Sequence, residues 1–101
     1  HTFSALEAAA DEPWVELDLA RINPGGQNMD AGPDTVVPVL DAMKRNGKAV
    51  MGMKVFGNGK LAKQREACLR FVLGLDCVDC MTIGFESREQ LDDVVALMQR
   101  V

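Results

Sequence analysis

Hydrophobic and polar positions change their spacing several times along this 101-residue chain. Over residues 14–22 apolar and polar side chains alternate, which is typical of a β-strand with two different faces. Over residues 34–47 apolar side chains recur every three or four positions, which predicts an amphipathic helix. The same patterns predict further strands at residues 48–56 and 77–85, and further helices at residues 2–10, about 61–73, and from Ser87 onward.

The predicted order is one helix followed by three strand–helix pairs, with strands starting roughly 30 residues apart. Such alternation predicts an α/β fold with parallel strands joined by crossover helices. Three parallel strands cannot close a barrel, and alone they leave two open edges. We therefore expect residues 1–101 to be the C-terminal part of one (β/α)8 TIM-barrel domain, incomplete as given. A small doubly wound sheet is the structural alternative.

A barrel would place the functional groups and the strand faces in a defined way. Active sites lie at the C-terminal ends of the strands, here residues 21–23, 53–57 and 82–87. Outward positions of a barrel strand meet helices, while inward positions can be polar. Val15, Leu17 and Leu19 are therefore expected to meet helices.

Composition narrows the class of protein. The chain is 48% hydrophobic and 26% charged, as in soluble globular proteins, and its net charge of −4 argues against nucleic-acid or anionic-membrane partners. No apolar run approaches the roughly 20 residues of a membrane span. Three cysteines fit a reducing, cytoplasmic compartment. The start at His1, directly in a helical pattern, predicts a piece cut from a longer protein.

Basic and glycine-rich positions near the strand ends have two interpretations each. Lys54 and Arg21 could each bind an anionic group of a substrate or cofactor. Alternatively, each could form a buried ion pair, and for Lys54 the candidate partners are Asp18 and Asp79. The turn at residues 57–61, GNGKL, could cradle a phosphate with backbone N–H groups. A plain tight turn is the favoured explanation of that segment. The basic stretch at residues 60–65 is interpreted as a solvated helix face.

The cysteines and the single tryptophan are predicted to be structural. Cys77 and Cys80 are three positions apart on a predicted strand, so their side chains point to opposite faces. Redox C-x-x-C pairs sit at helix starts, and a zinc site needs a second pair that this chain lacks. Both cysteines are expected to be buried and apolar, and no metal site is predicted. Trp14 is expected in the core.

The segment MTIGFESREQLDDVVALM, residues 81–98, passes from a strand through a glycine into a helix. Ser87 and Gln90 form an S-x-x-Q capping box, which is a complete structural explanation of this helix start. A ligand-binding explanation requires Gly84 to let the backbone approach a ligand, with the N–H groups of the helix start facing it. The residues alone leave both explanations open.

At this segment the chain resembles the C-terminal portion of an aldo/keto reductase, from the end of the fifth barrel strand through the eighth helix. GFESREQLDDV is similar to the family pattern G-A-S-x-x-E-Q-L-x-E-N, with matches at Gly84, Glu89, Gln90 and Leu91. Asp93 stands at the family's Glu. The resemblance implies that this turn and helix hold the adenosine phosphate end of NADP(H), with Gly84, Gln90 and Asp93 facing the adenosine.

A second segment, MKVFGNGKL, resembles the family's Y-S-P-L-G-x-G, with matching glycines at Gly57 and Gly59. Met53 and Lys54 replace the Tyr and Ser, and Leu19 stands where a nicotinamide-contacting Gln is common. Asn23 stands at the family's usual Asn. The cofactor-binding residues that the two segments imply are Lys54, Phe56, Gly57, Gly84, Glu86, Ser87, Gln90 and Asp93.

Glu86 occupies the position of the family's serine and changes the expected cofactor. A carboxylate about 4 Å from a 2′-phosphate would repel it by roughly 1–4 kcal/mol, depending on the local dielectric constant. A carboxylate can instead accept hydrogen bonds from a ribose 2′-OH, as acids do in NAD-binding sites. The expected cofactor is therefore NAD(P)H, with a preference for NADH.

The resemblance implies an oxidoreductase that transfers hydride between NAD(P)H and a small aldehyde or ketone. The family's catalytic Asp, Tyr, Lys and His would lie upstream of residue 1, so no catalytic residue is assigned here, and the upstream strands would be this chain's partner. Met53 and Leu19 leave open a catalytically inactive nucleotide-binding or regulatory barrel. A third possibility is a structural α/β module complete at 101 residues.

Overall fold

The computed structural model describes residues 2–57, 59 and 61–100, and His1 lies outside this part of the chain. The described residues form a small α/β structure of four helices and three strands. A short 3-10 turn, Ala62–Gln64, precedes the third helix. In chain order the elements are α1 Phe3–Asp11, β1 Leu17–Arg21, α2 Pro33–Arg45, β2 Ala49–Met53, α3 Arg65–Leu73, β3 Cys80–Met81 and α4 Arg88–Arg100.

The three strands form one parallel sheet in the order β1-β2-β3. The register pairs Leu17 with Ala49 and Arg21 with Met53, and one β2–β3 pair joins Met51 to Cys80. The predicted alternation of helices with parallel strands is confirmed. Membership of the sheet in a larger barrel stays a prediction.

The hydrophobic core lies between the helices and one face of the sheet. Ala20, Ile22 and Val50 are buried on that face, each at most 2% exposed. The helices contribute buried side chains at helical spacing, as predicted for α2 and α3; these are Ala10, Val36, Leu40, Met43, Cys68 and Val72. Burial of these side chains is the main stabilising contribution to the fold.

The opposite face of the sheet is open. Leu17 and Leu19 are 49% and 43% exposed, so the expectation that they meet helices was wrong. Asp18 instead shares the helix-covered side with Ala20. Its Oδ2 is buried without a hydrogen-bond partner, and desolvation raises the pKa of this carboxyl. Alternation in the sequence identifies two faces of a strand but does not say which of them the helices cover.

The connection between α1 and β1 also differs from the prediction. Trp14 is 78% exposed, so its assignment to the core was wrong. It lies in a turn in which Val15 N–H donates to the carbonyl of Glu12 at 3.2 Å, and β1 starts only at Leu17. The buried Lys48 stabilises this turn, because its ammonium donates hydrogen bonds to the carbonyls of Glu12 and Val15 at 2.5 and 2.7 Å.

Helix α2 contains a proline beyond its first turn. Helix α2 begins at Pro33, so Pro38 is the sixth residue of the helix. A proline at this position leaves the carbonyl four residues earlier, that of Asp34, without its N–H donor. Pro38 is exposed, and water can reach that side of the helix. Asn46 and Gly47 end α2 as predicted, with Gly47 at a φ of 78°.

Helix α4 is only partly covered by the rest of the chain. Val94 and Leu97 are buried against Leu69 of α3. Three further apolar residues of α4 are 40–46% exposed, namely Leu91, Val95 and Met98. The predicted helix is confirmed, but the described residues cover only part of its apolar face.

Candidate functional site

A cavity of about 740 Å³ lies at the C-terminal ends of β2 and β3, next to the starts of α3 and α4. This is the location that the strand-end argument predicts. Five predicted cofactor-binding residues line it: Lys54, Phe56, Gly84, Glu86 and Gln90. Three others lie beside it without lining it: Gly57, Ser87 and Asp93.

Lys54 reaches the cavity from a strained backbone position. It directly follows β2 and has a φ of 56°, a left-handed conformation that is uncommon for a residue with a side chain. Two donors hold its carbonyl, the N–H of Gly57 at 2.8 Å and Nδ2 of Asn23 at 3.0 Å. Strained residues often occur at binding sites, where the surrounding structure fixes them.

Asn23 is the residue that connects this strand end to the preceding loop. It is fully buried, and its amide binds the backbone of Gln27 twice, with Nδ2 donating to the carbonyl at 2.8 Å and Oδ1 accepting the N–H at 2.9 Å. Because the same Nδ2 also donates to the carbonyl of Lys54, Asn23 connects the residue after β2 to the loop that contains Gln27. Its role in this structure is to position the backbone.

The glycine-rich turn after β2 uses its described amides internally. The N–H of Gly57 donates to the carbonyl of Lys54, and those of Gly59 and Leu61 donate to the carbonyl of Phe56 at 3.1 and 2.9 Å. Asn58 and Lys60 lie outside the described residues. Among the described amides, the geometry is that of the tight turn that we favoured over a phosphate cradle.

Gly57 itself is required by the fold. Its φ is 59°, and a Cβ built on it would come within 2.6 Å of Cβ of Gln27. No real Cβ atom tolerates such a contact, so one side of the turn would have to move. Gly57 therefore brings the turn into contact with the loop that Asn23 organises.

Gly84 has no such structural requirement. Its φ does not lie in the left-handed range, and a Cβ built on it would meet no atom within 4 Å. It is exposed and lines the cavity. The described fold would accept a side chain here, so neither backbone conformation nor packing explains a glycine at this position.

The start of α4 is capped by side chains, as predicted. Ser87 Oγ accepts the N–H of Gln90 at 3.2 Å, and Gln90 Oε1 accepts the N–H of Glu86 at 2.8 Å. In a standard capping box the Gln side chain would accept a hydrogen bond from the N–H of Ser87. Here it binds one residue earlier, and it therefore also fixes the backbone of Glu86 at the cavity wall.

Arg65, the first residue of α3, also lines the cavity and forms an ion pair with Asp93 of α4. The sequence interpretation assigned the basic stretch at residues 60–65 to a solvated face and so missed Arg65. Asp93, which the resemblance directs toward adenosine, accepts a hydrogen bond from the guanidinium that forms part of the wall. No local signal in the sequence reports this contact, because the two residues are 28 positions apart.

The remaining candidates lie elsewhere. Arg21 lines a separate cavity of about 40 Å³ between α1 and β1. Cys77 is buried and Cys80 is exposed, so the prediction that both are buried was wrong for Cys80. Cys77 lies in the turn before β3, so the opposite orientation expected for two residues of one strand does not apply to this pair. Desolvation, with a smaller contribution from Asp41, raises the pKa of Cys77 to about 11. Asp79 pairs with Lys44 at 2.7 Å.

Within the described part of the chain, no group of three or more His, Cys, Asp or Glu side chains is placed to hold a metal ion. None of the helices there is both long and apolar enough to cross a membrane. Comparison of the chain with protein-family models, with curated proteins and with solved structures found no match.

Proposed function

We propose that this chain is the cofactor-binding C-terminal portion of an aldo/keto reductase, and that its cavity binds the adenosine part of NAD(P)H. The whole enzyme would act in the cytoplasm on a small aldehyde or ketone, with the bound dinucleotide supplying or accepting the hydride. The catalytic Asp, Tyr, Lys and His that the family uses would come from the remainder of the barrel. The residues of this chain bind and orient the cofactor.

Gly84 is the observation that carries the proposal. It lines the cavity, yet the described fold requires a glycine there neither for its backbone conformation nor for its packing. A ligand that lies against the backbone at this point supplies the missing reason, because a side chain would fill the space that the ligand needs. The dipole of α4, whose capped start lies beside Gly84, favours an anionic ligand there.

The shape and position of the cavity support the same function. A volume of about 740 Å³ lies within the range of roughly 300–1,000 Å³ usual for cofactor and ligand sites. The open face of the sheet supports the barrel, because parallel sheets are ordinarily covered on both faces. In a barrel, the exposed Leu17 and Leu19 would face the packed interior formed with the other strands.

Glu86 supports a preference for NADH. It lines the cavity one turn before Gln90, and its backbone is fixed there by the Gln90 side chain. A carboxylate at the ribose end accepts hydrogen bonds from a 2′-OH and repels a 2′-phosphate. We expect NADH to bind more tightly than NADPH, and Glu86→Gln to narrow the difference. Glu89→Gln, an exposed neighbour outside the cavity, is the matched control.

The proposal is tested by calorimetric titration of the chain with NADH, using Gly84→Val as the probe of the binding surface. We expect binding to the wild type and a loss of affinity of roughly tenfold or more in Gly84→Val, because a branched side chain would occupy ligand space. Gly32→Val is the control, since Gly32 also has open space around it but lies at the start of α2, away from the cavity. Equal affinities of the two variants would overturn the assignment.

A catalytically inactive nucleotide-binding barrel is the second candidate. Leu19 and Met53 are apolar where the family commonly contacts the nicotinamide, and Leu19 lies on the open face of the sheet. Assay of the full-length protein with NADH and a panel of aldehydes and ketones distinguishes the two. Hydride transfer supports the reductase, whereas cofactor binding without turnover supports the inactive barrel.

A further inference from the structure

The wall of the cavity carries charges of both signs. Among its described lining residues, the charged ones are Lys54 and Arg65 on the β2–α3 side and Glu86 on the β3–α4 side. Gln90 lies beside Glu86 and is joined to it by the hydrogen bond at 2.8 Å. A ligand in this cavity would therefore meet both cationic and anionic groups.

The Arg65 guanidinium is held by a residue outside the cavity. Asp93 accepts a hydrogen bond from Arg65 Nη1, and the two side chains are 56% and 29% exposed, respectively. Asp93 lies three positions after Gln90 on α4, so the ion pair is beside the part of the wall that Glu86 and Gln90 form. The arginine is thus fixed at the end of the cavity where the proposed function places the ribose.

A carboxylate and a phosphate compete for the same groups of an arginine. The guanidinium offers a planar set of donors that binds either anion in the same geometry. While Asp93 binds Arg65, it neutralises the cation and occupies donor capacity that a phosphate would otherwise use. Partly exposed ion pairs are weak and are broken at little cost, so this competition can be shifted by a single substitution.

We infer that Arg65 is the anion-recognition residue of the cavity and that Asp93 restrains it, so that Asp93 is a specificity-determining residue against a phosphorylated ribose. This inference rests on the proposed function, because it assumes that the ligand is an adenosine nucleotide. It assigns to Asp93 a role different from contact with adenosine. Selectivity then has two sources, repulsion by Glu86 and restraint of Arg65.

The first test compares Asp93→Asn with Asp92→Asn by calorimetric titration with adenosine 2′,5′-bisphosphate and with AMP. Asp92 is the matched control because it lies on the same helix, its partner Arg88 lies outside the cavity, and the charge change is identical. We expect Asp93→Asn to bind the bisphosphate about twofold to fivefold more tightly than Asp92→Asn, with a smaller gain for AMP. Equal affinities of the two variants for the bisphosphate would overturn the inference.

The second test removes the arginine. In an Asp93→Asn background, Arg65→Gln should abolish the gain in bisphosphate affinity, whereas Arg70→Gln should leave it intact. Arg70 is the control because it lies on the same helix, pairs with Glu66 at 2.9 Å and does not line the cavity. If the ion pair only stabilises the cavity wall, Asp93→Asn should instead lower the affinity for both nucleotides, because the wall would lose a stabilising contact.

Inorganic pyrophosphate separates failure of this inference from failure of the proposed function. If Asp93→Asn binds pyrophosphate more tightly than Asp92→Asn while neither variant binds AMP, Arg65 recognises anions but the adenosine assignment is overturned. If AMP binds and the two variants bind the bisphosphate and pyrophosphate alike, the nucleotide site stands and the role of Asp93 is overturned. If no variant binds any of the three probes, both proposals are overturned.

Discussion

The turn after β2 gives the most quantitative prediction, because substitution of Gly57 by alanine combines two penalties. The backbone at Gly57 has a φ of 59°, which costs a residue with a side chain about 1–2 kcal/mol. The added Cβ would also lie 2.6 Å from Cβ of Gln27. Relief of such an overlap in a packed region typically costs roughly 1–3 kcal/mol.

One effect opposes these penalties. Alanine reduces the conformational entropy of the unfolded chain relative to glycine, which favours the folded state by about 0.4–1 kcal/mol. The net expectation for Gly57→Ala is a decrease in the free energy of unfolding of roughly 1–4 kcal/mol. A change of this size is a large fraction of the stability of a 101-residue chain.

Gly47→Ala separates the two penalties. Gly47 has a φ of 78°, but a Cβ built on it would meet no atom within 4 Å, so only the backbone term applies. We expect this variant to lose about 0–1.5 kcal/mol, and Gly57→Ala to lose roughly 1–3 kcal/mol more than it does.

Urea denaturation followed by far-ultraviolet circular dichroism measures both variants. Tryptophan fluorescence is a poor probe here, because Trp14 is 78% exposed already in the folded chain. If the two variants unfold at the same urea concentration, the contact between Gly57 and Gln27 does not limit packing, and the account of this turn is refuted.

Two further predictions follow from the titratable groups. At pH 8 a thiol reagent should label only the exposed Cys80 in the folded chain. Cys68 and Cys77 are buried, and desolvation raises the pKa of both thiols, that of Cys77 to about 11. Labelling of more than one thiol before unfolding would contradict this prediction. Hydrogen bonds from the Lys44 ammonium and from the N–H of Val50 lower the pKa of Asp79 in the folded chain below its ordinary value of 3.8. The ionised carboxylate therefore stabilises the fold above pH 3.8, and this stabilisation is lost as the pH falls through the lower pKa of the folded chain. Acid titration of stability should therefore show a smaller decrease in Asp79→Asn than in the wild type, and identical acid curves would refute it.

The elements with strong periodicity could be predicted from the sequence. Helix α2 has apolar residues at helical spacing and a clear Asn46–Gly47 stop, and it forms within one or two residues of its predicted bounds. The burial of Leu40 and Met43 follows from the same pattern. These features are local, since side chains three and four positions apart share a face wherever the helix packs.

The third strand could not be bounded in the same way. The pattern predicts a strand over residues 77–85, whereas β3 is only Cys80–Met81. A strand is defined by its hydrogen-bonded neighbours, and in the described residues β3 pairs with β2 alone. The apolar composition of the segment is thus consistent with a longer strand that this part of the chain does not complete.

The location of the candidate site could be predicted from the order of strands and helices, but the pairing of its charged side chains could not. The ends of parallel strands meet at one edge of the sheet, so Lys54 and Gly84 could be placed together from the strand order alone. The pairing of Arg65 with Asp93 depends on how α3 packs against α4, and a single sequence contains no signal for it. The same limit applied to the choice between the two faces of β1.

The central claim is that the cavity at the ends of β2 and β3 binds the adenosine part of a nicotinamide cofactor. Amide chemical shifts of the 15N-labelled chain during titration with NADH test it most directly, because they locate the ligand residue by residue. We expect saturable shifts concentrated at Gly84, Glu86 and Gln90, with little change along α1. Absence of shifts at these three residues, or shifts confined to the small cavity between α1 and β1, would contradict it.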